Sequence, residues 1–256
     1  MTTAVDRVAR RVEHVMGMPI SLALRGRHAH GPPADDAWAA VLASLRAADA
    51  TFSTYRADSV ISRIRGGELD LADAPEEVHE VLDIGARVER ASDGAFSVWL
   101  PGPDGRPALD PSGVVKGWAV ERAAAALRAL DDTDFCLSAG GDMVCRAGQG
   151  APWRIGIEDP HDPGRVLAVV PVRDGAVATS GTAHRGAHLV DARSGRPPRA
   201  VAQVTVICSS LTWADVDATA AYALGDQAAT WLGQRHGRTG LVVWTDGSTT
   251  TVPQPV

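Results

Sequence analysis

Asp110-Pro-Ser-Gly-Val-Val-Lys-Gly-Trp-Ala-Val-Glu-Arg122 is the stretch from which the rest of the chain can be read. It sets a carboxylate, a tight glycine turn and Lys116 at the mouth of a helix. Asp110 or Ser112 can cap that helix, and Trp118, Val120, Ala124, Leu127 and Leu130 carry helical apolar spacing. A helix start has unpaired backbone N–H groups and the positive end of the dipole, so it attracts phosphate. Lys116 adds a point charge. Taken alone, the segment reads better as an ordinary capped helix with a surface lysine.

Composition narrows the classes. With 256 residues, the chain is long enough for one large domain or two small ones, each with a sizeable core. A hydrophobic fraction of 45% and a charged fraction of 22% are ordinary globular usage. The net charge of −6 leaves no basic footprint, so no nucleic-acid partner is expected. Cys136, Cys145 and Cys208 are an odd set without paired metal spacing, in or beside apolar runs, and read as core residues. Residues Met1 to Val15 carry Arg7, Arg10, Arg11 and Glu13 and no apolar stretch of the secretory kind. No later run is long enough for a transmembrane segment, so the expectation is a cytoplasmic protein.

Along the chain, Met18 to Leu24 reads as a strand after Met16-Gly17. Gly31 to Pro33 breaks the chain, and Ala37 to Phe52 reads as a helix with Trp38, Val41, Leu42, Leu45 and Ala48 on one face. A second helix is expected from about Pro75 to Arg90, with Glu76 and Glu77 suiting its dipole. Pro101 to Pro107 is a turn-rich loop. Short strands follow at Phe135 to Leu137, Met143 to Arg146, Trp153 to Ile157, Val166 to Val172 and Val177 to Thr179. Gly140-Gly141-Asp142 suits a hairpin turn, or a backbone that a ligand approaches closely. Ala202 to Cys208 is an apolar strand, a helix begins at Trp213, and Gly240 to Trp244 closes the sheet. Asp215 and Thr219 stand four apart, so both side chains leave one face of that helix. A carboxylate and a hydroxyl there are hard oxygen ligands suited to magnesium. The plainer reading is an acidic residue at a helix start, with Thr219 in the core.

In order, these pieces resemble the pattern of the ApbE-like flavin transferases. The 110–122 stretch resembles that family's Asp-Leu-Gly-Gly-Ile-Ala-Lys-Gly-Tyr-Ala-Val-Asp. Met16-Gly17, Tyr55-Arg-Ala-Asp-Ser59, Gly94-Ala-Phe96, Gly140-Gly-Asp142, Thr179-Ser-Gly181, His188-Leu-Val-Asp191 and Ala214-Asp-Val-Asp-Ala-Thr219 continue the match. Beyond this stretch, Ser97 stands where the family has aspartate, and Ala192 where it has proline. Ser97 still hydrogen-bonds but brings no charge.

The resemblance covers nearly the whole chain and implies a single ApbE-like domain over residues 1–256. Its fold would be mixed α and β (α+β), a sheet packed with several helices. It implies FAD as substrate, contacted by Met16, Tyr55, Ala95, Phe96, Ser97, Asp110, Lys116, His188 and Leu189. Mg2+ would be held by Asp215, Thr219 and a main-chain carbonyl at Gly113. The implied reaction passes FMN from FAD to a threonine hydroxyl of an acceptor protein and releases AMP. His188 would serve as base, with Lys116 and Asp215 at the phosphates. Two other readings stay open: magnesium-dependent FAD hydrolysis to FMN and AMP, and FAD binding without turnover.

Overall fold

The computed structural model describes residues 8–102, 105–148, 150–181 and 189–253. Two tight hairpins build one half of the sheet. Strands β1 (Ala9–Val15) and β2 (Met18–Gly26) meet through Met16 and Gly17, at φ 56° and 70°. Strands β5 (Thr133–Ala139) and β6 (Asp142–Arg146) meet through Gly140 and Gly141, at φ 57° and 99°. Two consecutive left-handed residues match the twist of flanking antiparallel strands. Only glycine adopts this without strain, so Met16 is the costly position of the four.

Between these hairpins the chain makes α1 (Pro32–Phe52), α2 (Val60–Arg65) and α3 (Glu76–Ala91). The short pair β3 (Trp99–Pro101) and β4 (Pro107–Leu109) then leads into α4 (Ser112–Ala123) and α5 (Ala125–Arg128). After β6 come β7 (Trp153–Asp159), β8 (Asp162–Val172), β9 (Asp174–Gly181) and β10 (Val201–Cys208). The chain finishes with α6 (Leu211–Ala223), α7 (Ala228–Gly233), β11 (Thr239–Trp244) and β12 (Thr249–Val252). The main sheet has eight strands in the order β1-β2-β5-β6-β9-β10-β11-β12, and its pairs are antiparallel. The architecture is mixed α and β, as expected.

Strand alternation divides the sheet into two faces. Phe135, Leu137, Val144, Ala178, Val204 and Val206 point into the main core, where Val41, Leu45, Trp118 and Val216 meet them from the helices. On the other face Cys145 and Val177 meet Ile155 and Val172 of the β7–β8 hairpin. The sheet is thus sandwiched between helices and a two-stranded flap. Helix α6 lies in the middle of the helical layer. Nearly all its residues are buried, which is why its sequence shows no amphipathic stripe.

Several sequence expectations need correction. Helix α1 begins at Pro32, not Ala37, because Pro32 and Pro33 fit a first turn that needs no N–H donors. Helix α4 has Pro111, not Asp110 or Ser112, at its N-cap position and no side-chain cap there; the Asp110 carboxylate accepts the Ser112 N–H at 3.1 Å. The loop after Pro101 carries β4. Strands β1 and β12 were not foreseen, and β12, not β11, closes the sheet. Both are edge strands with polar outward residues, and such edges carry little apolar signal.

Candidate active site

The middle of α4 and the first turns of α6 are brought into close contact by Gly117. A Cβ there would lie 2.7 Å from Asp215 Cβ and 2.7 Å from the Leu211 carbonyl oxygen. With no side chain in the way, the Gly117 N–H donates to Asp215 Oδ2 at 2.8 Å. In a regular helix that N–H closes onto the Gly113 carbonyl. It has a single hydrogen, so the Gly113 carbonyl at best shares it and keeps acceptor capacity.

Ser210 caps α6, its hydroxyl accepting the Trp213 N–H, and no acidic residue lies in the first turn. Asp215 therefore sits inside the helix, at 2% exposure, and cannot be an acid placed to steady the helix start. One turn on, Thr219 Oγ1 is 3.0 Å from Ser180 Oγ on β9. The same threonine's methyl lies 3.8 Å from where a Gly113 Cβ would stand.

Lys116 reaches between two carboxylates. Its Nζ lies 2.5 Å from Asp142 Oδ2 and 3.2 Å from Asp215 Oδ1. The other Asp142 oxygen accepts the Thr179 N–H at 2.9 Å. Two carboxylates facing one ammonium leave the cluster one negative charge in excess. Burial works against the Lys116 ammonium, but Asp215 and Asp142 outweigh it and hold its pKa above the ordinary lysine value. Burial pushes the Asp215 carboxyl up to about 7; Lys116 draws it down and Asp142 drives it up again. Lys116 was expected as a free charge for phosphate. In the structure its charge is already committed to Asp142 and Asp215.

The cluster forms one wall of a cavity of about 710 Å³. That volume falls within the roughly 300–1,000 Å³ of small-molecule sites. Met16, Tyr55, Ser97 and Asp110 line it, as do Gly113, Lys116, Leu189, Asp215 and Thr219. The Gly140-Gly141 turn and Gly156 to Glu158 of β7 line it too. Tyr55 is 97% exposed at the rim, so its ring as well as its hydroxyl meets water, contrary to the half-buried default for tyrosine.

Ala95 and Phe96 do not line the cavity. Ala95 is sealed against Ala223 and Leu224, and Phe96 packs beneath the start of α4. A Cβ on Gly113 would lie 2.9 Å from Phe96 Cε2, so this ring fixes the height of the Gly113 backbone. The Ser97 hydroxyl accepts the Trp99 N–H at 3.0 Å. Ala192, the second departure, keeps its turn through backbone bonds, its N–H donating to the Ala95 carbonyl at 2.9 Å. His188 lies outside the described residues. Asp142 is the functional candidate that sequence reasoning did not assign. Its signal is a carboxylate directly after two glycines, a segment whose reading as a turn or a close ligand approach rests on the glycines and not on the carboxylate.

Among the described residues no three His, Cys, Asp or Glu side chains gather as a metal cluster. The donors here are of another kind: one carboxylate, one hydroxyl and one under-used main-chain carbonyl. All are hard oxygens, and with the excess negative charge they fit a hard divalent cation.

A family model described as "ApbE family" matches residues 16–101 and 99–242. The chain belongs to the ApbE family. Relatives bear out the assignment. A Rhodobacter capsulatus FAD:protein FMN transferase is 29% identical over 218 residues, 81% of this chain and 38% of that protein. The FAD:protein FMN transferase of Escherichia coli K12 is 24% identical over 263 residues, 79% of this chain and 75% of its own length. This chain thus corresponds to well under half of the Rhodobacter protein and three quarters of the Escherichia coli one. Among solved ApbE structures, the apo flavinyl transferase of Pseudomonas stutzeri superposes with TM-score 0.82 at 26% identity, covering 98% of this chain and 96% of that one. The ApbE protein of Thermotoga maritima also reaches TM-score 0.82, at 20% identity, covering 96% and 97%. That second likeness speaks for the ApbE fold alone.

Proposed function

We propose that this chain is an FAD:protein FMN transferase. It opens the pyrophosphate of FAD, joins the FMN phosphorus to a threonine oxygen of an acceptor protein, and releases AMP with the other phosphate. The observation that carries the reading is the contact of Asp215 with Gly117 in the middle of α4, at a cavity that Gly113 and Thr219 also line. The Asp215 carboxylate, the Gly113 carbonyl and the Thr219 hydroxyl would hold Mg2+, whose charge offsets that of the phosphates as their shared bond breaks. Breaking a phosphoanhydride needs positioning and charge more than covalent help.

The chain's own groups have distinct tasks. Lys116 keeps Asp142 and Asp215 aligned, and so shapes the donor set before substrate arrives. The N–H groups at the start of α4 face the phosphates, with Asp110 beside the nucleotide. Tyr55 offers an exposed ring face for a planar base or flavin to stack on. His188 takes the proton of the attacking threonine hydroxyl, a task suited to an imidazole titrating near neutrality.

The test combines the chain, FAD, magnesium and an acceptor carrying a threonine flavinylation motif. Flavin fluorescence on the acceptor after denaturation, with one AMP for each flavin attached, supports the transferase. Equal AMP release without acceptor means hydrolysis instead, and FAD binding with no AMP means a carrier.

A further inference from the structure

On the sheet face away from the site helices, Cys136 of β5 and Cys145 of β6 are direct cross-strand partners. Their sulfurs are 3.4 Å apart, the Cys145 thiol donating to the Cys136 sulfur. Opposed residues of an antiparallel pair have Cα atoms roughly 4.5–5.5 Å apart. A disulfide spans roughly 4.4–6.8 Å between Cα atoms, so a bond can form here by side-chain rotation with the strands in place.

The two sulfurs differ in access. Cys145 is fully buried among Ile155, Val172 and Val177, whereas Cys136 is partly open. The row of register partners runs Arg10, Ala23, Cys136, Cys145, which sets the Arg10 guanidinium on the same face as the pair. The hydrogen bond from Cys145 and then the Arg10 charge favour the Cys136 thiolate, while the bond and burial hold Cys145 protonated. The third cysteine, Cys208, is buried elsewhere, its thiol donating to the Ser210 carbonyl at 3.1 Å.

We propose that Cys136 and Cys145 form a dithiol modification site, in which Cys136 attacks and Cys145 resolves, with a low-molecular-mass disulfide as the oxidant. The Cys136 thiolate bonds to one sulfur of the oxidant and expels the other half as a thiolate. Cys145 then attacks Cys136 Sγ and expels the second half, and its proton goes to a departing thiolate. Two protein thiols become one intramolecular disulfide, and one oxidant disulfide becomes two thiols. The product ties together the two strands whose turn, Gly140-Gly141, lines the candidate active site.

The experiment treats the folded full chain with oxidised glutathione, then counts thiols after unfolding and maps linked peptides by mass. Of the three thiols one should remain, Cys208, with a Cys136–Cys145 linkage, no glutathione retained, and full recovery with dithiothreitol. Cys145→Ser should trap glutathione on Cys136, and Cys136→Ser should react with neither. If either serine variant melts far below wild type, the same titration in Cys208→Ser decides, since both of its thiols should vanish. Retention of all thiols, glutathione held on the wild-type chain, or a linkage through Cys208 would overturn the proposal.

Discussion

The Gly117 amide donates to Asp215 Oδ2 at 2.8 Å, across a helix contact that leaves no room for a side chain at residue 117. The first prediction follows from that crowding. In Gly117→Ala the new methyl would press on the Leu211 carbonyl and on Asp215 Cβ, both 2.7 Å away, so backbone must shift. Overpacking of this kind costs about 1–3 kcal/mol. The helix-propensity gain of alanine over glycine, about 1 kcal/mol, does not offset it. Urea unfolding should show a lower midpoint for Gly117→Ala, with weaker divalent-cation binding. A midpoint at or above wild type would mean that the contact is looser than described.

Lys116→Met should be costly, and its cost should depend on pH. Removing the ammonium leaves Asp142 and Asp215 buried and facing each other, and breaking a buried ion pair on one side costs about 3–5 kcal/mol. Without Lys116 the Asp215 carboxyl loses the charge that draws it down and rises further above its unfolded value. The loss is therefore full at high pH and shrinks as Asp215 protonates. Thermal melts should place the variant far below wild type at about pH 8 and closer to it at about pH 5. A deficit that does not change with pH would point to lost side-chain contacts and not to charge.

Cation binding should follow the Asp215 carboxyl, which burial pushes up to about 7. The ligand must be ionised, so protons compete with the metal. Affinity for Mg2+ should fall by up to about tenfold per pH unit below that value and level off above it. For the apoprotein the sign is opposite. A folded pKa above the unfolded value of about 3.9 gives stability that is full in acid and is lost as pH rises through about 7. Calorimetric Mg2+ titrations over this range check the first claim, and an affinity flat from about pH 5 to 8 contradicts it.

Tyr55→Ala separates binding from folding. At 97% exposure the ring contributes nothing that folding needs, so stability should change by less than about 0.5 kcal/mol. Loss of stacking should weaken FAD by about 1 kcal/mol, near fivefold. Fluorescence titration with FAD gives the affinity, and unaltered binding would remove Tyr55 from the site.

How far the sequence could be read depends on the physics of each element. Helix α3 was legible because one face is apolar and its first turn acidic, and β10 because Val201, Ala202, Val204, Val206, Ile207 and Cys208 make it densely apolar. Asp215 and Thr219 were legible as a pair because helical spacing alone puts them on one face. The burial of Lys116 was not. It depends on Asp142, a residue 26 positions away on another element, and no local pattern reports such a contact. The Gly117 contact was hidden for the same reason, since a mid-helix glycine shows its purpose only once α6 lies against it. Strands β1 and β12 stayed invisible because edge strands meet water along most of their length.

AMP release from FAD, followed across a magnesium titration for wild type and Asp215→Asn with acceptor present, tests the central claim most directly. The amide keeps an oxygen for the Gly117 N–H, and Lys116 keeps Asp142 at 2.5 Å, so the variant apoprotein should melt near wild type. The account predicts a magnesium requirement in wild type and a loss of about 10²–10³-fold in the variant, the scale for removing one preorganised electrostatic group. A variant that folds normally and releases AMP at the wild-type rate would contradict it.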